Sequence, residues 1–319
     1  MKITVVGATG LVGRKILEIL EEKNLVSGNV LALYASEKSA GKIVVVGGQK
    51  FKVLKLTKEN ITPCDFALFS AGSTISKQFA PLFAKQGAFV IDNSSAFRRY
   101  KNVPLVVPEI NPQTINQGTK IIASPNCSTI GLVLALWPLV AKKEIERIVV
   151  STYQAVSGAG QKAINDFLNN TTTKLEQPIK SNLIPKIDKL LSNGETFEEN
   201  KMVYEVQKIL NKKINISSTC VRVPILNCHS ESVNITFKTQ IGAKMAQILL
   251  KNGQKLAICD LPMPNLTNNT NSVFVGRIRK DNSLKNTLNM FLCFDNLRIG
   301  AALNVVEIME YIIKTSLCV

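Results

Sequence analysis

Residues 120–132 read KIIASPNCSTIGL, and they predict a strand, a turn and a helix in direct succession. The run at 120–123 is typical of a short buried strand, and Ser-Pro-Asn at 124–126 interrupts it. The apolar residues after Ser128 predict a buried helix that Pro138 stops or kinks. Cys127 is therefore expected at a helix N-terminus, where unpaired main-chain N–H groups and the helix dipole stabilise a thiolate.

Two interpretations of Cys127 remain open from these residues alone. In the first, the thiolate is a nucleophile, and the same N–H groups bind the oxyanion that forms when it attacks a carbonyl. In the second, the side chain is a small buried apolar group, which is the role of most free cysteines.

The composition bounds the class of protein. A chain of 319 residues with 45% apolar residues is globular and long enough for two domains. Seven cysteines without a C-x-x-C pair argue against a disulfide framework or structural zinc, so we expect a reducing compartment and no metal. The first residues lead directly into a strand-like run rather than a signal peptide, which indicates the cytoplasm.

The net charge of +16 suggests acidic partners, which would be either nucleic acid or anionic metabolites. The basic residues are scattered, without a dense block or aromatic interleaving, so we expect small anionic molecules and no nucleic acid. The longest apolar run, 130–141, is too short for a bilayer, so we expect no membrane association.

The chain begins with the pattern of a dinucleotide-binding fold. A strand at 2–6, a turn with Gly7, Gly10 and Gly13, and a helix follow one another, which is the order that places a pyrophosphate at a helix N-terminus. After the second predicted strand, at 29–34, Ser36, Lys38 and Ser39 suit the 2′-phosphate of NADP, whereas Glu37 would suit NAD.

Two further strands of this half, at 65–70 and 88–92, also end in small or polar residues, as expected at the ligand-binding edge of a doubly wound sheet. Arg98 follows the second of them. An arginine in this position is either a clamp for phosphate or carboxylate or an ordinary surface cation.

The second half favours long strands and so predicts an α+β domain. Strands are predicted at 146–154, 217–223, 233–238, 273–278 and 286–294, helices at 161–173, 202–212 and 242–252, and a polar loop or small subdomain at 178–200. A last helix is predicted to open at 295–304.

Four polar residues of this half are candidates for a site. His229, the only histidine, is expected in a turn, either as the proton-transfer partner of Cys127 or as a structural residue. Arg222 precedes it on a strand and favours the functional role. Glu205 and Lys208 share a helix face, which by itself indicates an exposed ion pair.

Taken together, the motifs of this chain resemble those of the aspartate-β-semialdehyde dehydrogenase family nearly from end to end. The shared motifs are GATGLVG (7–13), DNSSAFR (92–98), VPEIN (107–111), SPNCSTI (124–130), YQAVSGAG (153–160), CVRVP (220–224), HSESV (229–233), VFVGRIR (273–279) and DNLRIGAALN (295–304). Two departures are mild: Val206-Gln207 stands where the family helix often has threonine and a variable residue, and Leu292-Cys293-Phe294 lacks a frequent tryptophan.

The resemblance implies an α/β fold, with a Rossmann-type NADP-binding domain (1–126 with 297–319) and an α+β catalytic and dimerisation domain (127–296). It implies NADP(H)-dependent, reversible reduction of L-aspartyl 4-phosphate to L-aspartate 4-semialdehyde, in the biosynthesis of lysine, methionine, threonine and diaminopimelate. The expected partners are these substrates and phosphate, and the expected assembly is a homodimer or a dimer of dimers.

The same resemblance assigns residues to roles. The catalytic residues would be Cys127 as the nucleophile that forms a thioacyl intermediate, Gln154 as the group that orients the acyl chain, and His229 as the acid/base. Substrate would contact Arg98 and Lys208 (phosphate), Arg222 (α-carboxylate), Glu205 (amino group) and Asn126. NADP would contact Gly7, Thr9, Gly10, Leu11, Val12, Gly13, Ser36, Ser39, Ser157, Gly158 and Asn304.

Two alternatives remain at this point. Another acyl-phosphate reductase, such as N-acetyl-γ-glutamyl-phosphate reductase, would share the glycine turn, the cysteine and the histidine but not the ammonium site at Glu205. A regulatory protein could instead use the first domain only to bind nucleotide, without catalysis.

Overall fold

A computed structural model describes residues 1–315. In chain order, the elements up to residue 126 are β1 (Lys2–Val6), α1 (Leu11–Glu22), β2 (Val30–Ala35), a 3₁₀ turn (Glu37–Ser39), β3 (Ile43–Val46), β4 (Gln49–Lys52), β5 (Leu54–Lys55), β6 (Phe66–Phe69), α2 (Ser73–Lys85), β7 (Phe89–Asp92), a 3₁₀ turn (Pro112–Thr114) and β8 (Ile121–Ala123).

The elements after residue 126 are α3 (Cys127–Val140), β9 (Ile145–Gln154), a 3₁₀ turn (Val156–Ala159), α4 (Gln161–Asn169), α5 (Phe197–Leu210), β10 (Asn215–Arg222), β11 (His229–Phe237), α6 (Ala243–Lys251), β12 (Leu256–Ile258), α7 (Pro264–Thr267), β13 (Val273–Lys280), β14 (Thr287–Phe294), a π-helical segment (Arg298–Ala302) and α8 (Leu303–Lys314). No helix within residues 1–315 is both long and apolar enough to cross a bilayer.

The chain divides into two compact units, of which the first comprises Met1–Asn126 and the segment from Ala301 onward. Its parallel sheet has the order β5-β2-β1-β6-β7-β8, with α1, α2 and α8 as its helices. β1, β6 and β7 are almost wholly buried and apolar, as expected for strands covered on both faces. This unit has the predicted Rossmann-type architecture.

The second unit, Cys127–Gly300, contains a mixed sheet in the order β10-β9-β11-β14-β13-β12. The two outer pairs are parallel, and the three inner pairings are antiparallel. Long, largely antiparallel strands with separate helices are the α+β pattern, so the predicted fold class is confirmed. The assignment of NADP binding to residues 1–126 with 297–319, and of catalysis and dimerisation to 127–296, stays a prediction. Residues 316–319 lie outside the described part of the chain.

The helix α3 lies at the centre of the second unit. Nearly all of its side chains are buried, as expected for a helix that is apolar on every side. It continues two residues beyond Pro138, so this proline does not stop the helix, and the alternative that it kinks the helix stays a prediction. A Cβ at Gly131 would lie 2.2 Å from the Phe294 ring, so the glycine lets α3 approach β14 closely.

Other boundaries also differ from the predictions. α5 begins at Phe197, inside the segment expected to be a loop, because Thr196 and Glu199 form a reciprocal capping box at its start. His229 is the first residue of β11 and is fully buried, so it does not lie in the expected turn. The short elements β12 and α7 were not predicted.

The helix α4 ends at Asn169 rather than at the predicted Thr173, and the cause is Asp166. Its buried carboxylate accepts hydrogen bonds from the main-chain N–H groups of Thr173, Lys174 and Leu175, at 2.8, 2.6 and 2.9 Å. These bonds require the chain to turn back over the helix end. Burial opposes ionisation, but the hydrogen bonds from Leu175 and the neighbouring groups outweigh it and hold the pKa of Asp166 well below its usual range.

We predict that Asp166→Asn lowers the urea midpoint of unfolding at pH 7. A carboxyl group with a lowered folded-state pKa contributes its full stability above its ordinary pKa, 3.8, and loses it as the pH falls through the folded value. The difference between wild type and variant should therefore be largest near neutrality and shrink in acid.

The exposed carboxylate of Asp260 provides the matched control, because Asp260→Asn should leave the midpoint almost unchanged. Equal effects of the two substitutions, or an Asp166 effect that grows as the pH falls below about 4, would contradict this account of the loop.

Candidate functional site

Cys127 is the first residue of α3 and is partly buried. The structure therefore places Cys127 at a helix N-terminus, as predicted. Gly300 packs against Cys127, and a Cβ at Gly300 would lie 3.1 Å from the Cys127 Cβ. Burial raises the pKa values of the five other described thiols, at Cys64, Cys220, Cys228, Cys259 and Cys293. A thiol with a raised pKa is a poor nucleophile at neutral pH.

Gln154 ends β9 and is buried. Its Nε2 donates to Glu198 Oε1 at 3.2 Å and to Thr152 Oγ1 at 3.3 Å, so the side chain is held in one orientation. Glu198 also accepts from Lys201 at 2.8 Å. Sequence reasoning missed Glu198 because its segment was expected to be a loop, although the capping box could have placed it in the first turn of a helix.

Arg222 ends β10, beside Gln154 in the parallel β9–β10 register. Its guanidinium is buried and donates to the carbonyl of Ala155 at 2.7 Å. Burial lowers the pKa of Arg222, and the negative charges of Glu198 and of a Cys127 thiolate partly offset this effect. The guanidinium therefore lies within electrostatic reach of the thiolate.

His229 begins β11, and its Nδ1 accepts a hydrogen bond from the main-chain N–H of Ala155 at 3.0 Å. Its Nε2 is buried without a hydrogen-bond partner among the described residues. The ring of Phe294 packs edge-on against the imidazole, with centroids 6.1 Å apart. Burial, followed by the charge of Arg222, holds the pKa of His229 well below its usual range.

Gly158 lies next to the side chains of both Arg222 and His229. A Cβ at this position would lie 3.0 Å from Arg222 Nη1 and 3.0 Å from both Cε1 and Nε2 of His229. The absence of a side chain therefore leaves open a space that the guanidinium and the imidazole both face. Ser157, beside it, is buried, and its hydroxyl accepts from Asn296 at 3.0 Å.

Glu205 and Lys208 lie on α5, as predicted, but they do not form a simple exposed pair. Glu205 is buried, and Lys208 is half-buried with its ammonium 5.9 Å from the centre of the Tyr204 ring. Burial lowers the pKa of Lys208, while the charge of Glu205 opposes the shift. A buried carboxylate on this face is compatible with binding an amino group.

Glu231 is a further buried acid that sequence reasoning missed. It lies two residues after His229 on β11, and neither carboxyl oxygen has a hydrogen-bond partner among residues 1–315. Burial raises the pKa of Glu231 well above the usual range, because the charged form loses its solvation. The alternation of β11 could have indicated that Glu231 shares a sheet face with His229.

Two predicted residues of the first unit, Arg98 and Asn304, contact its 124–126 loop, and a third, Asn126, belongs to the loop. Arg98 is buried and donates from Nε to the carbonyl of Ser124 and from Nη2 to that of Asn93, each at 2.9 Å. Asn304 donates to the Ser124 hydroxyl at 2.8 Å. Asn126 is buried and immediately precedes Cys127. These contacts fix the segment that leads to the cysteine.

The glycine turn has the geometry of a dinucleotide site. Gly7 has φ +87°, and a Cβ there would lie 2.8 Å from the Ser70 main chain, while a Cβ at Gly13 would lie 2.1 Å from the Gly7 carbonyl oxygen. Gly10 is exposed and precedes Leu11 and Val12, the half-buried first residues of α1. The turn thus opens a helix N-terminus at the end of a parallel strand.

A cleft of about 290 Å³ adjoins this turn, lined by Thr9, Gly10 and Ser36 and by the apolar side chains of Leu56, Ile75 and Phe79. Polar groups near a glycine turn and an apolar wall fit a nicotinamide dinucleotide. Thr9 Oγ1 donates to Ser39 Oγ at 3.1 Å, which brings the second predicted serine to the turn.

A preference for NAD would require Glu37 to bind the ribose hydroxyls of the cofactor, but Glu37 has a partner within the protein. Its carboxylate is exposed and accepts from Lys55 Nζ at 2.8 Å. The hydrogen bond from Lys55 and its charge lower the pKa of Glu37, so the group stays ionised but paired. Ser36 lines the cleft, and Ser39 is hydrogen-bonded to Thr9, which lines it too.

Comparison with known proteins agrees with both units. Residues 2–118 match the family "Semialdehyde dehydrogenase, NAD binding domain", and residues 136–299 match "Semialdehyde dehydrogenase, dimerisation domain". The aspartate-semialdehyde dehydrogenases of Aquifex aeolicus and Bacillus subtilis are 46% and 41% identical to this chain, and each alignment covers 99% of both proteins.

Solved structures show the same similarity. Aspartate semialdehyde dehydrogenase II from Vibrio cholerae, complexed with ASA, is 39% identical, with a TM-score of 0.94 over 98% of both chains. The Candida albicans enzyme with NADP is 27% identical, with a TM-score of 0.80 over 99% of both chains. The resemblance found in the sequence is therefore confirmed, and the chain belongs to the aspartate-semialdehyde dehydrogenase family.

Proposed function

We propose that this protein catalyses the reversible, NADP-dependent reduction of L-aspartyl 4-phosphate to L-aspartate 4-semialdehyde, with release of phosphate. The observation that carries the proposal is the arrangement of Arg222 and His229 around the open space at Gly158, with Cys127 within the electrostatic reach of Arg222. The reaction would serve the biosynthesis of lysine, methionine, threonine and diaminopimelate in the cytoplasm.

The two predicted domains divide this work in the proposal. Residues 1–126 with 297–319 bind NADP, and residues 127–296 carry out catalysis and dimerisation. The dimerisation domain named by the family match at 136–299 supports a homodimer, either alone or paired into a dimer of dimers.

Cys127 supplies the nucleophile in the proposed mechanism. Its thiolate attacks the acyl carbon of the acyl phosphate, the phosphate leaves, and a thioester to Cys127 remains. The helix N-terminus and Arg222 stabilise the thiolate. Gln154, held by Glu198, orients the acyl group, and His229, whose buried Nε2 has no hydrogen-bond partner among the described residues, is the acid/base.

The charged residues bind the substrate in the proposal. Arg222 offers a planar fork for the α-carboxylate, and the buried Glu205 takes the amino group. Lys208 in the second unit and Arg98 in the first are each proposed as ligands of the phosphate, while Asn126 contacts substrate beside Cys127.

When bound, NADPH supplies the hydride that reduces the thioester carbon. The turn residues Gly7, Thr9, Gly10, Leu11, Val12 and Gly13 would hold its pyrophosphate, Ser36 and Ser39 its 2′-phosphate, and Ser157, Gly158 and Asn304 its nicotinamide side. An assay that follows NADPH formation from aspartate semialdehyde and phosphate tests the proposal. The absence of NADPH formation would reject it.

We predict that Cys127→Ala abolishes turnover and retains NADP binding, because the nucleophile belongs to no cofactor contact in the proposal. Cys127→Ser should be almost as damaging, since a hydroxyl has a far higher pKa than a thiol. Cys64→Ala serves as the control, because this half-buried thiol lies in the first unit outside the proposed site. Near-normal turnover in Cys127→Ala, with NADP titrated by fluorescence, would disprove the mechanism.

We predict a preference for NADP over NAD, measured as the ratio of the two kcat/KM values. Ser36→Ala and Ser39→Ala should lower kcat/KM for NADP and leave that for NAD nearly unchanged, because only NADP carries the 2′-phosphate. Lys55→Ala should also disfavour NADP, because it leaves the charge of Glu37 unpaired. A wild-type protein that prefers NAD would show that Glu37 binds the ribose hydroxyls.

We predict separate effects for the two proposed arginine ligands. Arg222→Lys keeps the charge but loses the fork, so it should weaken binding of aspartate semialdehyde by about 1–3 kcal/mol, the scale of a charge-assisted hydrogen bond. Arg98→Ala should mainly raise the KM for phosphate. Arg147→Lys, on an exposed position of β9, is the control. If both arginine variants changed the two KM values equally, the assignment would be wrong.

A further inference from the structure

The first turn of α5 contains two adjacent buried acids, Glu198 and Glu199. Glu199 forms the capping box with Thr196, and it also accepts a hydrogen bond from the main-chain N–H of Cys220 at 2.9 Å. The capping box therefore accounts for Glu199 but not for Glu198. Because burying a carboxylate is costly unless it is paired, the contacts of Glu198 indicate what its side chain does.

Both carboxylate oxygens of Glu198 accept hydrogen bonds. Oε1 accepts from Gln154 Nε2 at 3.2 Å, and Oε2 accepts from Lys201 Nζ at 2.8 Å. Lys201, with 13% of its side chain exposed, also binds Asp188 at 2.9 Å. Burial opposes the charge of Lys201, but the charges of Glu198 and Asp188 and the hydrogen bonds to them outweigh it and raise the pKa of Lys201. Lys201 is therefore held as a cation between two carboxylates.

Arg222 lies within the field of the same carboxylate. Of the groups whose charge acts on its buried guanidinium, Glu198 has the largest effect. The guanidinium nevertheless donates to the carbonyl of Ala155, at 2.7 Å, while Oε2 of Glu198 binds Lys201. Without Lys201, the carboxylate would attract Arg222 more strongly, because opposite charges that are shielded from water interact at longer range.

We propose that Glu198 and Lys201 form a buried positioning pair: Glu198 holds the amide of Gln154, and Lys201 keeps Glu198 from drawing Arg222 away from the substrate carboxylate. The inference rests on the proposed function, in which Gln154 orients the acyl group and Arg222 binds the α-carboxylate. Neither member of the pair contacts the substrate. Stability alone is a weak reason for a buried ion pair, since apolar residues of similar volume are often at least as stable.

Two double variants test the contact with Gln154. Glu198→Gln/Lys201→Met and Glu198→Leu/Lys201→Met both remove the two charges, and they differ only in whether an acceptor remains for the Gln154 amide. In the assay with aspartate semialdehyde and phosphate, the leucine variant should have a kcat about 10–10²-fold below that of the glutamine variant, the scale of a small misplacement in a site. Equal kcat values in the two variants would overturn the role of Glu198.

The single variant Lys201→Met tests the effect on Arg222. It leaves the charge of Glu198 without Lys201, so the KM for aspartate semialdehyde should rise by about tenfold or more, the scale of a charge-assisted hydrogen bond. Adding Glu198→Gln removes that charge and should reverse the rise. An unchanged KM in Lys201→Met, or a raised KM that persists in the double variant, would show that Lys201 does not act on Arg222.

Urea unfolding distinguishes positioning from a general structural role. Glu198→Leu/Lys201→Met should unfold at a midpoint no lower than that of Glu198→Gln/Lys201→Met, because leucine is the more apolar residue at a buried position. A loss of kcat that follows a lowered midpoint would contradict the proposal. Glu176→Leu/Lys186→Met is the matched control, because it removes an exposed ion pair and should change neither kcat nor KM.

Crystal structures of the two double variants need no substrate, so they separate this inference from the proposed function. We expect the Gln154 amide to bind the amide introduced at position 198 in the glutamine variant, and to leave its wild-type position in the leucine variant. An unmoved Gln154 in the leucine variant contradicts the positioning pair. Wild-type protein that forms no NADPH from aspartate semialdehyde and phosphate contradicts the proposed function instead.

Discussion

The close approach of α3 to β14 at Gly131 is the constraint on which the second unit depends. A Cβ at Gly131 would overlap the ring of Phe294, and that ring in turn packs against His229. The helix that begins with Cys127 and the strand beside the histidine therefore meet at this contact. Because buried interiors are close-packed, a change at Gly131 would be transmitted to both residues.

The main chain of one residue, Ala155, which follows the end of β9, organises the polar part of the site. The carbonyl of Ala155 holds Arg222, its N–H holds His229, and the preceding residue is Gln154. The three side chains come from the ends of adjacent strands, so their spacing follows from the sheet register rather than from flexible loops. Rigid elements are the better support for a site that must be preorganised.

The sequence predicted the parts of this molecule that local patterns encode. The glycine turn, the buried strands of the first sheet and the start of α3 each follow from residues close in sequence. The structural position of Glu198 was missed because its polar segment was expected to be a loop, although the capping box of Thr196 and Glu199 indicates the start of α5. The hydrogen bond that His229 accepts comes from Ala155, which is 74 residues distant in the sequence, and the ion pair of Glu37 depends on Lys55. Contacts of this kind arise from strand pairing, which periodicity alone does not specify.

The distribution of thiols has a consequence for oxidative damage. Peroxide reacts with thiolates and spares protonated thiols, and burial raises the pKa values of five of the six described cysteines, which favours their protonated form. If Cys127 is the reactive thiolate, an oxidant would convert it first to sulfenic acid while the other five described thiols stay intact. The protein would then lose its chemistry without losing its fold, and a thiol reductant could restore it as long as oxidation had not gone beyond that first stage.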